Sequence, residues 1–305
     1  MKFKNKTILE ILERYYTVAS LGSLIALADW DLNTYMPEGA AEDRGFILGK
    51  VNLLLKKLIL DKELKSLIEK AKEEAENLND YEKGVIRVLE REINIIEKLP
   101  DDFIERWTRL TNEAQVVWRK AKENNNFEEF RPYLEKIVDL AREKANYLGY
   151  KEHPYDALID LFEEGWTTKD FDNFFNSIKE PLKNLFQKIK NSPKYIEKHP
   201  LEEEKYEKVN MEKLNYYVLD LLNFEPKKSR LDIAPHPFEN AISLNDVRIT
   251  TWYHEKDFRR SLTATIHEFG HSLYELQIDP ELKFTPLQGG LSYAFHESQS
   301  RFWEN

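Results

Sequence analysis

Ser261-Leu262-Thr263-Ala264-Thr265-Ile266-His267-Glu268-Phe269-Gly270-His271-Ser272-Leu273-Tyr274-Glu275-Leu276 is the stretch on which the reading of this chain turns. Its apolar residues Leu262, Ile266, Phe269, Leu273 and Leu276 step by four, three, four and three, which is the spacing of one face of an α-helix. His267 and His271 fall on a neighbouring stripe. Residues four apart on a helix share a face and lie about 6 Å apart along its axis, so the two imidazoles project together. That is the geometry for two nitrogen ligands on one Zn²⁺. Glu268, about 100° round the helix, is placed to reach a water at such a site without ligating. Ser261 or Asp257 is expected to cap the helix. Gly270, a poor helix former, has no propensity reason to be here; a need for close backbone approach would explain it.

Downstream, the Gly289-Gly290 turn leads into residues 292–303, which read as a second helix offering His296, Glu297 and, just beyond, Glu304. A catalytic zinc takes three protein ligands and keeps a fourth position open. His296 and Glu297 point about 100° apart, so one is expected to ligate and the other to hydrogen-bond a ligand from outside; spacing does not choose between them. Upstream, residues 233–253 depart from the helical pattern. Ile242, Val247, Ile249 and Thr250-Thr251 are β-branched, and Pro235, Pro237 and Asn245-Asp246 supply turns, so a small β-hairpin or meander is expected beside the metal helices. His236 and Arg248 lie within it. Taken as isolated residues they read as a loop histidine and a salt-bridged arginine.

The remainder is helical. Helices are expected over 5–28, 43–79, 80–99, 102–124, 127–148 and 170–190, with Asp101 or Asp102, and Thr167 or Thr168, as starts and Gly149 as a stop. Residues 192–208 read as polar and irregular. Asp29, Asp31 and Asp43 read as caps and solvated faces. The fold class is therefore mainly α, with one small β element, in a single domain over 1–305.

Composition narrows the function. The 305 residues include 45 basic and 55 acidic side chains, a net charge of -10, which speaks against a nucleic-acid partner. There is no cysteine, which removes disulfide scaffolds, thiolate metal sites and cysteine nucleophiles. The charge-free apolar run Tyr15–Ala28 is shorter than the ~20 residues of a membrane span. Glu10 and Glu13 interrupt any signal-type apolar segment. These features point to a soluble, cytoplasmic protein without a membrane partner.

Several strings occur in an order that resembles the thermostable carboxypeptidases, the M32 or Taq-type metallocarboxypeptidases. They are Trp30-Asp31-Leu32-Asn33-Thr34 followed by Met36-Pro37; Tyr155-Asp156-Ala157-Leu158-Ile159-Asp160 with Gly165; His236-Pro237-Phe238; Asp246-Val247-Arg248-Ile249-Thr250-Thr251; His267-Glu268-Phe269-Gly270-His271; and His296-Glu297-Ser298-Gln299-Ser300-Arg301. Glu164 stands where the family commonly has proline. The resemblance spans essentially the whole chain. It implies a helical, zincin-like fold, a homodimer, one divalent metal per chain (Zn²⁺ or Co²⁺), and hydrolysis of peptide substrates with a free C-terminus.

The resemblance also implies residue roles. It makes Glu297 the third metal ligand beside His267 and His271, Glu268 the general base, and His236 and Arg248 the groups that recognise the substrate's C-terminal end. A guanidinium suits two-pronged binding of a carboxylate. Two alternatives follow from the same residues: a thimet-type oligopeptidase, which can share the His-Glu-Phe-Gly-His string, and a metal-binding but inactive helical interaction module. Family members continue well past the third ligand, whereas Asn305 follows Glu297 by eight residues. The expectation is a C-terminally truncated member that folds over most of its length with very low or no carboxypeptidase activity, and with apolar surface exposed near Phe295, Phe302 and Trp303.

Overall fold

The helix around His267 runs from Phe258 to Leu276 in the computed structural model, which describes residues 2–202, 204–290 and 292–305. Asp257, not Ser261, is its cap: the Asp257 side chain accepts the Arg259 N–H, satisfying a donor that the first turn leaves free. In chain order the helices and strands are α1 (Lys6–Thr34), α2 (Ala41–Ile59), α3 (Lys62–Glu73), α4 (Asp80–Glu97), α5 (Asp101–Glu123), α6 (Phe127–Leu148), α7 (Pro154–Ile159), α8 (Thr168–Lys190), α9 (Lys208–Leu221), β1 (Ser229–Ile233), β2 (Glu239–Ser243), β3 (Asp246–Thr251), α10 (Phe258–Leu276) and α11 (Tyr293–Glu304). No helix among the described residues is long and apolar enough to cross a membrane.

Several expected helices have different limits. The first runs on to Thr34, so Trp30 and Asp31 are helical. The stretch expected as one helix over 43–79 is two, because Asp61 accepts the Glu63 and Leu64 N–H groups and starts α3 afresh. The α5 helix begins directly after Pro100 without a side-chain cap. Thr167 caps α8 in a reciprocal bond with Asp170, and Gly149 closes α6 at φ 81°, a backbone shape that glycine adopts without strain.

Two cores form. Ile8, Ile11 and Leu12 of α1 pack with Leu64 and Ile68 of α3 and with Val85 and Leu89 of α4. Burial of each such side chain contributes about 1.5–3 kcal/mol. Glu92 of α4 is the exception in that neighbourhood, its carboxyl enclosed near Tyr15 and pushed up to about 7 by burial. The second core joins Leu219 of α9, Leu231 of β1, Ile249 of β3 and Phe269 of α10, with Trp303 of α11 packed edge-on to Phe269 at 5.6 Å. Trp303 is therefore partly covered, while Phe295 and Phe302 are exposed, at 48% and 73%. The α8 helix buries none of its residues and leaves Phe174, Phe175, Leu182 and Phe186 exposed.

The sheet has the order β1-β3-β2. Strands β2 and β3 form the expected hairpin, but the sheet starts earlier, at Ser229, and β1 lies parallel to β3 rather than continuing a meander. Val247, Ile249, Thr250 and Thr251 make β3 the buried centre. Thr251 Oγ1 donates to the Ser261 carbonyl, and Asn215 of α9 donates to Thr265 Oγ1, so the sheet and α9 both grip the start of α10. On the other edge, Thr250 exchanges backbone and side-chain bonds with Phe238, and Asn240 donates to the Ala26 carbonyl of α1. These bonds fix the loop that carries His236, Pro237 and Phe238.

Candidate metal centre

Glycine at 270 is what lets the last two helices touch. A Cβ there would lie 2.7 Å from the Ser300 Cα and 2.9 Å from the Gln299 carbonyl, closer than real Cβ contacts come. The glycine that helix propensity disfavours therefore brings the α11 backbone onto α10 between the two histidines, and the close approach expected at Gly270 is made by α11.

That contact aims Glu297 at both imidazoles. Its Oε2 lies 3.5 Å from His267 Nε2 and 3.2 Å from His271 Nε2. One donor atom from each of the three residues falls within 4.8 Å of the others. The imidazoles stand 4.9 Å apart at 81° to one another. Two nitrogens and a carboxylate oxygen, converging from one side, form a donor set that suits Zn²⁺ or a similar divalent ion.

Each imidazole is held from behind by its other nitrogen. His267 Nδ1 lies 3.0 Å from Glu304 Oε2. His271 Nδ1 lies 2.5 Å from His296 Nδ1, and His296 Nε2 lies 3.0 Å from Glu275 Oε1. With Nδ1–H of His271 donating to His296, and Nε2–H of His296 donating to Glu275, both metal-facing Nε2 atoms keep their lone pairs. Such outer partners fix tautomer and ring orientation. Gly290 is part of this support, since a Cβ on it would meet the His296 ring at 2.9 Å. His296 thus takes the outer position of the pair that spacing left open, and Glu297 faces the histidines.

The electrostatics agree with that arrangement. Burial, with His296 and His267 alongside, pulls His271 down to about 4, so it is neutral and able to donate its lone pair. Burial works to raise Glu297, but His267, Arg301 and Ser300 overcome it and hold the group below its ordinary value as a carboxylate. Arg301 clamps Glu297 Oε1 at 2.9 Å and Glu304 Oε2 at 2.9 Å. Glu268 is buried, and burial, reinforced by Glu297 and Glu304, pushes it up to about 8.

A cavity of about 870 Å³ opens in front of these groups. His267, Glu268, His271 and Glu297 line it together with His236 and Phe162. Arg248 does not. Its guanidinium is held by Asp246, at 2.7 and 2.8 Å, and lies 4.3 Å from the Trp30 ring. Of the carboxylates expected as caps, Asp31 pairs with Arg44 at 2.6 Å, while Asp29 lines a neighbouring cavity. Sequence reading passed over Glu239 and Glu275, which line the metal-side cavity as well. Glu275 follows His271 by four residues on the same helix face, a signal that was there to be used; Glu239 carries no such spacing.

With this geometry established, comparison with known proteins is direct. The sequence matches the family described as carboxypeptidase Taq (M32) metallopeptidase over residues 9–305. The chain belongs to the M32 metallopeptidase family. Thermostable carboxypeptidase 1 of Pyrococcus furiosus is 45% identical over 304 residues, covering 99% of this chain and 61% of the relative. Carboxypeptidase 1 of Bacillus subtilis is 34% identical over 305 residues, covering 98% of this chain and 59% of the relative. Among solved structures, the Pyrococcus furiosus carboxypeptidase superposes with TM-score 0.88 at 44% identity, covering 100% of this chain and 61% of that one. The crystal structure of BsuCP gives TM-score 0.94 at 33% identity, covering 99% and 60%. The chain spans about three fifths of the length of these M32 relatives. Membership of M32 accords with the helical fold, and a divalent metal belongs to such a metallopeptidase.

Proposed function

We propose that this chain forms the metal-bearing part of a metallocarboxypeptidase that removes C-terminal residues from peptides. The observation that carries the reading is the convergence of His267 Nε2 and His271 Nε2 on Glu297 Oε2, with the buried Glu268 facing the same cavity. His267, His271 and Glu297 would hold one Zn²⁺ or Co²⁺, which supplies Lewis-acid polarisation of the scissile carbonyl and acidifies water. Glu268 accepts a proton from the attacking water and delivers it to the leaving amine. Its enclosure favours this, since a carboxyl raised toward neutrality both takes and returns a proton near pH 7.

His236, on the cavity wall, is assigned to the substrate's C-terminal end. Arg248 would serve the same end by exchanging Asp246 for the substrate carboxylate. The names of the relatives favour the carboxypeptidase reading over the oligopeptidase one. The reading includes a homodimer in the cytoplasm, in keeping with the acidic, cysteine-free composition. The test is to load the purified chain with Zn²⁺ or Co²⁺, supply an N-blocked dipeptide and a longer blocked peptide, and identify the products. Metal-dependent release of single C-terminal residues is expected. Internal fragments, or no metal-dependent release, would overturn the proposal.

A further inference from the structure

A second cavity, of about 620 Å³, adjoins the metal-side one, and the two share His236, Phe238 and Glu239 as a common wall. Its other sides come from distant parts of the chain: Asp29 and Asn33 of α1, Trp118 of α5 and Phe130 of α6. Two features set it apart from an ordinary surface hollow. First, it is lined by two carboxyls, yet among the described residues no lysine or arginine lines it or pairs with either. Second, Glu239 is only partly exposed, and its Oε1 is shut off from solvent with no hydrogen-bond partner. An enclosed, unpaired carboxyl costs several kcal/mol unless a cation or donor reaches it. Asp29 stands at the more exposed side of the same space.

Lys122, whose ammonium is bound to the Pro235 carbonyl and lies 5.0 Å from the Trp118 ring, does not line the cavity. Burial, aided by Lys122, keeps His236 down, so it is neutral and brings no charge to the shared wall. The vacant charge complement is therefore positive. The aromatic lining adds a second requirement: Trp118 and Phe130 can cover the stem of a long side chain and face a planar cation.

Resting on the carboxypeptidase reading, we propose that this cavity takes the basic side chain of the residue to be released, arginine above lysine, and that Glu239 is the specificity-determining carboxyl. With the substrate's terminal carboxylate at His236, on the common wall, the adjoining cavity is where the terminal side chain goes. A guanidinium offers a planar fork of donors to Glu239 and Asp29, which an ammonium does not. Burial, with the negative charges of Glu275 and Glu268 behind it, holds the Glu239 proton in place until a cation replaces it. An acidic terminal residue offers no cation to replace that proton and is disfavoured.

Two measurements test the proposal, one of which needs no turnover. Calorimetry with free arginine, lysine, leucine and glutamate on the metal-loaded chain reads the cavity alone. Arginine is expected to bind about tenfold tighter than leucine, with glutamate weakest, because the pair is charge-assisted and shielded. Glu239→Gln should remove about tenfold from the arginine-to-leucine ratio, and Asp29→Asn a smaller part, as befits its exposure. Blocked dipeptides ending in the same four residues should show the same order in kcat/KM. If no dipeptide is hydrolysed, the carboxypeptidase reading fails while the amino-acid binding series still decides the cavity's preference. Equal binding of arginine and leucine, or a ratio unchanged in Glu239→Gln, overturns the inference. Should Glu239→Gln not fold, an unchanged ratio in Asp29→Asn overturns it in the same way.

Discussion

Gly270 and Ser300 meet backbone to backbone: an ideal Cβ on the glycine would lie 2.7 Å from the Ser300 Cα. The contact sits between His267 and His271, one residue before the latter, and three residues beyond Glu297, so docking of the helices and placement of these side chains are one event.

Replacing Gly270 by alanine should separate the helices. Alanine gains ~1 kcal/mol in helix propensity, but the clash is with backbone, which cannot rotate away, and such overpacking costs about 1–3 kcal/mol or more. The expected result is a net loss of stability together with weakened Zn²⁺ binding. Urea denaturation and metal titration of Gly270→Ala check it; a more stable variant with unchanged metal affinity would remove the role given to this contact.

Metal content should follow the three converging side chains. His271→Ala and Glu297→Ala are expected to lose most bound zinc after dialysis. Substitutions behind the imidazoles, Glu304→Gln and Glu275→Gln, should lower affinity by about 10–100-fold while retaining a measurable site. Competition against a chromogenic chelator gives the order, and equal affinity for all four variants would contradict the layered arrangement.

Glu268→Gln should keep the metal and lose catalysis. The amide has nearly the same shape but cannot take a proton from water, so kcat is expected to fall about 10²–10⁴-fold with little change in zinc affinity. Paired metal analysis and dipeptide hydrolysis read both halves, and a near-normal rate would exclude Glu268 as the base.

Glu92 predicts a pH trend in stability away from the metal. Its folded pKa, about 7, is above the ordinary 4.5, so the folded state holds the proton more tightly. The stabilising effect of that proton is complete at low pH, declines as pH rises through the window from 4.5 to about 7, and is gone above it. The swing is on the order of 1–3 kcal/mol for a partly accessible group. Comparing wild type and Glu92→Gln by urea denaturation at about pH 5 and about pH 8, wild type should lose more stability on going to the higher pH. Parallel losses would show that Glu92 titrates normally.

How far the sequence foretold this structure depended on the range of the forces involved. The helix carrying His267 and His271 and its partner helix were legible almost to the residue, because an apolar stripe with four-residue histidine spacing is a local pattern. Gly270 announced itself as an exception to propensity, though only the structure names Ser300 as the reason. The short α7 and the weakly patterned α9 left no such periodicity. The break at Asp61 had a local signal, an N-capping aspartate, that the apolar run on either side obscured. The parallel pairing of β1 with β3 joins strands separated by β2, and no neighbouring residues encode it. Glu239 and Glu275 looked like ordinary acidic residues until the fold enclosed them.

His267 and His271 belong to α10 and Glu297 to α11, so an ion bound by all three is a cross-link between separate helices as well as a reagent. Its binding free energy is available only to the docked arrangement, which makes the order of α11 a function of free metal concentration. At low metal, α11 is held by Trp303 against Phe269, by the glycine contact and by the hydrogen bonds of His296 and Glu304 to α10; at high metal, opening it also means releasing the ion. Proteolysis within α11 would thus act as a reporter of metal occupancy, and chelation would turn a catalytic question into a folding one.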